Sequence, residues 1–342
     1  MSISPRLPML LSLLILLVPA GALWAAAAAA AAAATATTAP ATRATLREFA
    51  VRHDGVERRY LLHVPADLDP ARPAPLVMML HGAGGSADHA ARAYGWRELA
   101  DREGFVAVFP EGTRADIAGV TTAPARNPRL WNDGSGRGFA GRRKVDDIGY
   151  LAAVLDDVAR RCNLDADRVY CTGFSNGASM TFHAGVALSD RFAAIAPISG
   201  HLWLADAKPK SPRPMFFLTG DADPLNPLAG GEAPNPFGGP PVQKPPIQKS
   251  IDAWVTLLGL DPATTTVIRD DDRVRAVRYR GDDAADDATP REVVFYVVKN
   301  LGHEWPGRPR VLPRRLTGES SNAVDATALV WEFFKNHPRP AP

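Results

Sequence analysis

One stretch constrains the fold of this chain more than any other: Val169-Tyr-Cys-Thr-Gly-Phe-Ser-Asn-Gly-Ala178. It is apolar and β-prone as far as Cys171, reaches Gly173-Phe-Ser-Asn-Gly177, and continues in helix-compatible residues to Leu188. A serine between strand and helix, with glycine two residues to either side, predicts a turn too tight for side chains at those two positions. Ser175 would stand at the tip of that turn, above the sheet. The backbone N–H of Asn176, at the helix start, would point where negative charge develops during acyl transfer. Ser175 is therefore a candidate nucleophile. An ordinary serine in a Gly-rich turn carries the same short pattern, so the assignment needs partners elsewhere in the chain.

The segments around this turn predict a mostly parallel, doubly wound α/β sheet. Thr45 to His53 and Val56 to Val64 are β-like runs about Asp54-Gly55, a hairpin signal. Leu76 to Leu80 and Phe105 to Phe109 are continuous apolar runs, the pattern of strands covered on both faces. Residues 90–103 read as a helix with Trp96, Leu99 and Ala100 on one face. Val145 to Arg161 reads as another, with Ile148, Leu151, Leu155 and Val158 aligned and Arg160 and Arg161 at the dipole's negative end. Phe192 to Ile198 and Pro214 to Thr219 are further strands. Residues 224–246 form a long Pro/Gly-rich loop, of the kind that is usually functional or disordered. Helix is expected over 247–258 and 323–336. Strand is expected over 264–280 and 292–298, either side of an acidic turn at 282–287. The alternation of strands and helices supports a single domain.

Composition excludes more than it proposes. Of 342 residues 46% are hydrophobic and 22% charged, so the chain is globular, and a net charge of +2 gives no case for nucleic acid. Two cysteines, Cys162 and Cys171, are too few for a disulfide scaffold or a four-cysteine zinc site. Residues 1–34 read as a signal peptide: Arg6, a leucine-rich core from Leu7 to Val18, then small residues with A-x-A possibilities at Ala20-Gly-Ala22 and within Ala25 to Ala34. The uncharged run from Leu7 to Ala34 could also span a bilayer, but its strongly apolar part is short, and cleavage is the adopted reading. Residues 35–45 read as a flexible linker, 46–337 as the folded domain and 338–342 as a tail. The mature protein is expected to be secreted or periplasmic, monomeric, and without stable membrane association.

A serine nucleophile needs a base, an acid that orients it, and donors for an oxyanion, and on doubly wound sheets the chain order is Ser, Asp/Glu, His. The chain has eight histidines. His53 and His63 precede the main sheet, and His89 lies at a helix start. His183 lies two helical turns beyond Ser175, His201 precedes any candidate acid, and His337 lies in the tail. His81 ends a strand, but its Gly-Ala-Gly-Gly continuation suits a backbone oxyanion loop better than a base. His303, following a strand and the turn Lys299-Asn-Leu-Gly302, is left as the base. The acid is expected in Gly220-Asp-Ala-Asp-Pro224; Asp221 and Asp223 could both reach His303, and Asp223 is preferred because Pro224 fixes the loop exit. A cation site is the competing reading of that D-x-D, without an obvious third carboxylate nearby. The aspartates at 270–272 and 282–287 read as solvated turns. Besides Asn176, the second oxyanion donor is expected within Gly82 to Gly84, at Ala83. No metal and no cofactor is called for.

His81-Gly-Ala-Gly-Gly-Ser86, Trp131-Asn132, Val145-Asp-Asp-Ile148, Arg168 to Ala178, Gly220-Asp-Ala-Asp-Pro224 and Gly302-His-Glu-Trp-Pro-Gly307 occur in order. Together they resemble the secreted polyhydroxybutyrate depolymerase and feruloyl/acetylxylan esterase group of the α/β-hydrolase superfamily, over residues 45–337. The resemblance implies a serine esterase with Ser175, Asp223 and His303 as nucleophile, acid and base. Its substrates would be 3-hydroxyalkanoate esters or, alternatively, feruloyl or acetyl esters on plant polysaccharide. A non-catalytic binding protein or a serine peptidase of the same fold are the remaining readings. It further implies that Trp305, after the histidine, walls the acyl pocket, and Trp131 is taken with it as a substrate-binding candidate. Relatives often read Gly-Thr-Ala-Asp-Pro followed by a Val-Pro-Tyr type run; here Gly-Asp-Ala-Asp-Pro-Leu-Asn-Pro opens a longer Pro/Gly insert, so the substrate-facing loop is expected to differ. The usual partner of a cysteine like Cys162 is missing from the helix after the serine, which leaves a Cys162–Cys171 disulfide or two buried thiols. No Ser/Thr-rich linker or binding module is expected after residue 337, which weakens the case for attack on a solid polymer.

Overall fold

The computed structural model describes residues 45–115, 127–237, 240–281, 291–310 and 312–340. The expected signal peptide, all of the linker but Thr45, and the acidic turn at 282–287 lie outside them. In chain order the elements are β1 (Thr45–His53), β2 (Val56–Val64), β3 (Ala74–Leu80), α1 (Ala87–Ala93), α2 (Trp96–Glu103), β4 (Val106–Pro110), α3 (Gly138–Arg142), α4 (Asp147–Arg161), β5 (Leu164–Phe174) and α5 (Asn176–Ala187). There follow β6 (Ala194–Ile198), β7 (Met215–Gly220), β8 (Gly231–Ala233), β9 (Val242–Lys244), α6 (Ile247–Leu257), β10 (Thr266–Asp270), β11 (Val274–Arg280), β12 (Glu292–Val298), α7 (Arg314–Thr317) and α8 (Ala326–Lys335).

Ten strands form one sheet in the order β1-β2-β4-β3-β5-β6-β7-β12-β11-β10. From β4 to β12 neighbouring strands are parallel. An antiparallel pair closes each side, β1–β2 joined to β4 and β10–β11 joined to β12. The parallel core explains the unbroken apolar runs. In β3, Leu76, Met78 and Leu80 enter a core shared with α4, α5 and α6, whereas Val77 and Met79 enter the opposite core with α1, α2 and α8. Successive side chains point to opposite faces, so a strand covered on both must be apolar at every position. This is the α/β-hydrolase arrangement.

Three local readings change. The helix expected over 90–103 is two helices, because Gly95 takes φ +74 and ends the first at Tyr94. The strand expected over 264–280 is the hairpin β10–β11, reversed at Asp271, whose Oδ1 accepts from the backbone N–H of Arg273 and Val274, both at 2.8 Å. The 224–246 loop is partly ordered as the antiparallel pair β8–β9, and it is pinched at its base, where the Ile247 N–H donates to the Leu228 carbonyl at 3.1 Å. Among the described residues no helix is long and apolar enough to cross a membrane.

Candidate active site

Every group of interest sits where a parallel strand ends. Ser175 joins β5 to α5 at φ 58°, ψ −118°, a strained conformation for a residue with a side chain. It is held there by its N–H on the Ile198 carbonyl and by Ser179 N–H on its own carbonyl, both at 3.0 Å. The flanking glycines are steric necessities. A Cβ at 177 would overlap the carbonyl oxygens of Leu80 and His81, and one at 173 would overlap the Gly177 carbonyl. Ser199 after β6 and Asn300 after β12 also have positive φ.

The chain leaving β7 carries both candidate aspartates, and their side chains diverge. Asp221 Oδ1 accepts the Asn300 N–H at 2.6 Å and so braces the turn before His303. Asp223, 2% exposed, accepts His303 Nδ1–H on Oδ2 at 2.7 Å and the N–H groups of Leu225 and Asn226 on Oδ1 at 2.8 Å. Burial alone would raise the Asp223 carboxyl. The adjacent His303 and the donated hydrogen bonds outweigh it and hold the group below the usual carboxylate range. With Nδ1 committed to Asp223, the neutral His303 ring has its lone pair on Nε2. The His303 ring lies 4.8 Å from that of Phe174, the residue before Ser175, and its N–H donates to the Thr317 carbonyl at 2.5 Å. Neither Ser175 Oγ nor His303 Nε2 is bonded to another described residue, which leaves a hydroxyl and an imidazole lone pair available at one place.

His81 opens the loop after β3. Its Nδ1–H donates to the Gly82 carbonyl at 2.8 Å, and its Nε2 accepts from Gly112 N–H at 2.9 Å. Full burial pushes the ring down to about 4, so it is neutral and sets the course of the loop. Glu111 braces the same region: Arg59 and Arg129 pair with its carboxylate, and Ala87 N–H donates to it at 3.1 Å. The amides of Ala83 and Asn176 have no protein acceptor among the described residues and stay free for an anionic oxygen.

A pH dependence follows from His81. Its proton affinity is lower folded than unfolded, so the unfolded chain binds more protons between its ordinary value and about 4. The stability contribution is full above about pH 6.5 and falls as pH drops toward 4, by about 2–3 kcal/mol for this group. Urea unfolding at pH 7.5 and 4.5 should show that much less acid sensitivity in His81→Gln; equal slopes would refute a buried neutral ring.

Trp131 and Trp305 lie deeper than expected, 1% and 3% exposed. Trp131 donates Nε1–H to the His81 carbonyl at 2.8 Å and backbone N–H to Asn176 Oδ1 at 2.8 Å, tying the His81 loop to the serine turn. Trp305 donates to Thr327 Oγ1 at 3.0 Å and packs on Tyr94, 4.7 Å between centroids. Both rings are buried, hydrogen-bonded supports of the loops around Ser175. Three further polar residues at the site received no role from sequence. Asp133 accepts from Asn176 Nδ2 at 2.9 Å, Asn226 donates to the Ser199 carbonyl at 2.7 Å, and Glu111 is described above. Asp133 and Asn226 stand beside or inside quoted motifs, but their partners are distant in sequence. Cys162 and Cys171 are free thiols, and burial raises Cys171 to about 12, which makes it inert. A grouping of potential ligands, His53, Asp54 and Asp146, is on the β1–β2 turn and the start of α4, apart from the strand-end loops.

Comparison with known proteins finds esterases. The family model described as esterase PHB depolymerase matches residues 59–211. The putative esterase NocK of Nocardia uniformis subsp. tsuyamanensis is 30% identical over 297 residues, covering 82% of this chain and 81% of that protein. The bifunctional acetylxylan esterase/xylanase XynS20E of Neocallimastix patriciarum is 29% identical over 172 residues, 50% of this chain but 22% of that longer protein. The crystal structure of native pOPH shares the fold, with a TM-score of 0.52 at 18% identity over 88% of this chain and 90% of that one.

Proposed function

This chain belongs to the esterase PHB depolymerase family and is a carboxylic ester hydrolase; from that premise we propose that Ser175, His303 and Asp223 are its catalytic triad. Ser175 Oγ attacks the ester carbonyl while His303 Nε2 takes its proton. The tetrahedral oxyanion lies against the N–H groups of Ala83 and Asn176, donors worth about 3 kcal/mol each in such a transition state. His303 then protonates the departing alkoxide, and an alcohol leaves. Water, deprotonated by His303, attacks the acyl-enzyme and releases the acid and Ser175. Asp223 keeps the ring in the Nδ1–H tautomer and stabilises the imidazolium. The observation that carries the reading is the buried Asp223–His303 bond beside the strained Ser175 turn.

Esters of 3-hydroxyalkanoates are the proposed substrates, supported by the family description. Acetyl or feruloyl esters on plant polysaccharide are a second reading, favoured by the acetylxylan esterase among the relatives. Export is part of the proposal, supported by the Leu7–Val18 apolar run and the small residues after it.

A fluorophosphonate reagent tests the nucleophile without choosing a substrate. Attack by Ser175 Oγ expels fluoride and leaves a phosphonylated serine. Peptide mass spectrometry should find the adduct on Ser175 alone and the adduct lost in His303→Ala. Labelling elsewhere, or none, would remove the proposal.

A further inference from the structure

The side of the site beyond Asn176 is crowded with polar groups the reaction does not use. His201 follows β6, is 1% exposed, and has only the Asn226 side chain, at the limit of hydrogen bonding, against its ring nitrogens among the described residues. Its ring lies 5.0 Å from that of Trp203, whose buried indole N–H is also unpartnered. The Arg137 guanidinium covers the Trp203 ring at 3.9 Å, with a buried and unpartnered Nε–H, and the Lys244 ammonium stands 5.5 Å from the same ring. Among the described residues Lys244 has no carboxylate partner within ion-pair distance. Buried donors are rarely left unbonded in folded proteins. Burial and then the Arg137 charge bring Lys244 down to about 8, so these cations crowd one another.

The carboxylates facing the cluster are engaged elsewhere. Asp133 holds Asn176 Nδ2 at 2.9 Å and Ser135 Oγ at 2.5 Å, and meets Arg137 at only 3.8 Å. Asp223 is bonded to His303. The cluster adjoins the reaction: Asp133 links Arg137 to the residue after Ser175, and Gly200, before His201, packs against the Ser175 carbonyl.

We propose that Arg137, His201, Trp203 and Lys244 form a subsite for the chain-end carboxylate of a hydroxyacid oligomer, bound with its neighbouring ester at Ser175. This deepens the esterase reading and rests on it. Two cations and the unpartnered Trp203 indole N–H, with the His201 ring beside them, suit an anion with two acceptor oxygens. A planar acyl group has less to gain here, because the guanidinium already covers the Trp203 ring. Lys244 lies on β9, so the Pro/Gly-rich insert would supply part of substrate choice.

The test is calorimetric titration of the Ser175→Ala protein with the 3-hydroxybutyrate dimer and with its neutral terminal carboxamide. The free acid should bind at least about tenfold more tightly, in keeping with charge-assisted hydrogen bonds. That advantage should shrink with added salt and be lost in Lys244→Met and in Arg137→Met. Two variants are needed because Arg137 also contacts Asp133. Equal binding of acid and amide, binding of neither, or an advantage that survives Lys244→Met overturns the proposal. Tighter binding of D-glucuronate than of the dimer would assign the cluster to a sugar carboxylate and overturn it as stated. Turnover of p-nitrophenyl butyrate by the parent protein reports separately on the esterase reading.

Discussion

Ser175→Ala is expected to lower kcat for p-nitrophenyl butyrate by at least about a thousandfold, with little change in folding. The loss is large because the hydroxyl is the group that bonds to carbon; the oxyanion donors and the binding surface alone leave only residual catalysis. The fold should survive because Ser175 Oγ has no hydrogen bond to another described residue, while the backbone bonds to Ile198 and from Ser179 remain. Alanine must adopt the same φ of 58° as serine, so the strain is nearly unchanged. Comparison of steady-state kinetics with thermal melts separates the effects. Equal turnover by both proteins would end the nucleophile assignment, and a large fall in Tm would make the kinetic loss uninformative about it.

Asp223→Asn is expected to cost about ten-thousandfold in kcat, by the reasoning that applies to any imidazole held by a buried carboxylate. An amide NH2 turned toward His303 Nδ1 would favour the tautomer with its proton on Nε2, which cannot accept from Ser175. The substituted side chain could still accept from the Leu225 and Asn226 N–H groups through its amide oxygen, so the loop should persist. Asp221→Asn is the control. Its carboxylate braces Asn300 rather than His303, and an amide oxygen can accept the same N–H, so its loss should stay within about tenfold. The reverse ranking would move the acid to position 221.

The parts of the fold that could be read from sequence were those written in local pattern. The apolar runs of β3 and β4, the alternation of strand and helix, and the glycines about Ser175 each follow from constraints within a dozen residues. The order Ser, Asp, His then pointed to positions 175 and 303 and to the loop with Asp221 and Asp223, of which only the fold shows that Asp223 meets His303. What stayed illegible depends on partners far apart. Gly95 ends a helix whose apolar spacing continues past it. The aspartates at 270–272 read as a solvated turn, but that this turn folds the strand expected over 264–280 back on itself depends on the pairing of β10 with β11. Trp131 and Trp305 carry no sign that their indole N–H groups are needed inside, at the His81 carbonyl and the Thr327 hydroxyl. Glu111 gains its importance from Arg59, 52 positions earlier, which only the folded sheet brings beside it.

The pinched base of the Pro/Gly-rich insert has a bearing on how such enzymes diversify. Leu228 and Ile247 are bonded backbone to backbone, so the chain between them begins and ends at nearly the same point. Closing such an excursion costs little more when it lengthens, about 0.6 kcal/mol for each doubling. Asp223 precedes the pinch and α6 follows it, so residues can be added, removed or exchanged within the excursion without moving either. A lineage can therefore retune this arm by insertion and deletion while the acid, the base and the serine turn stay in register.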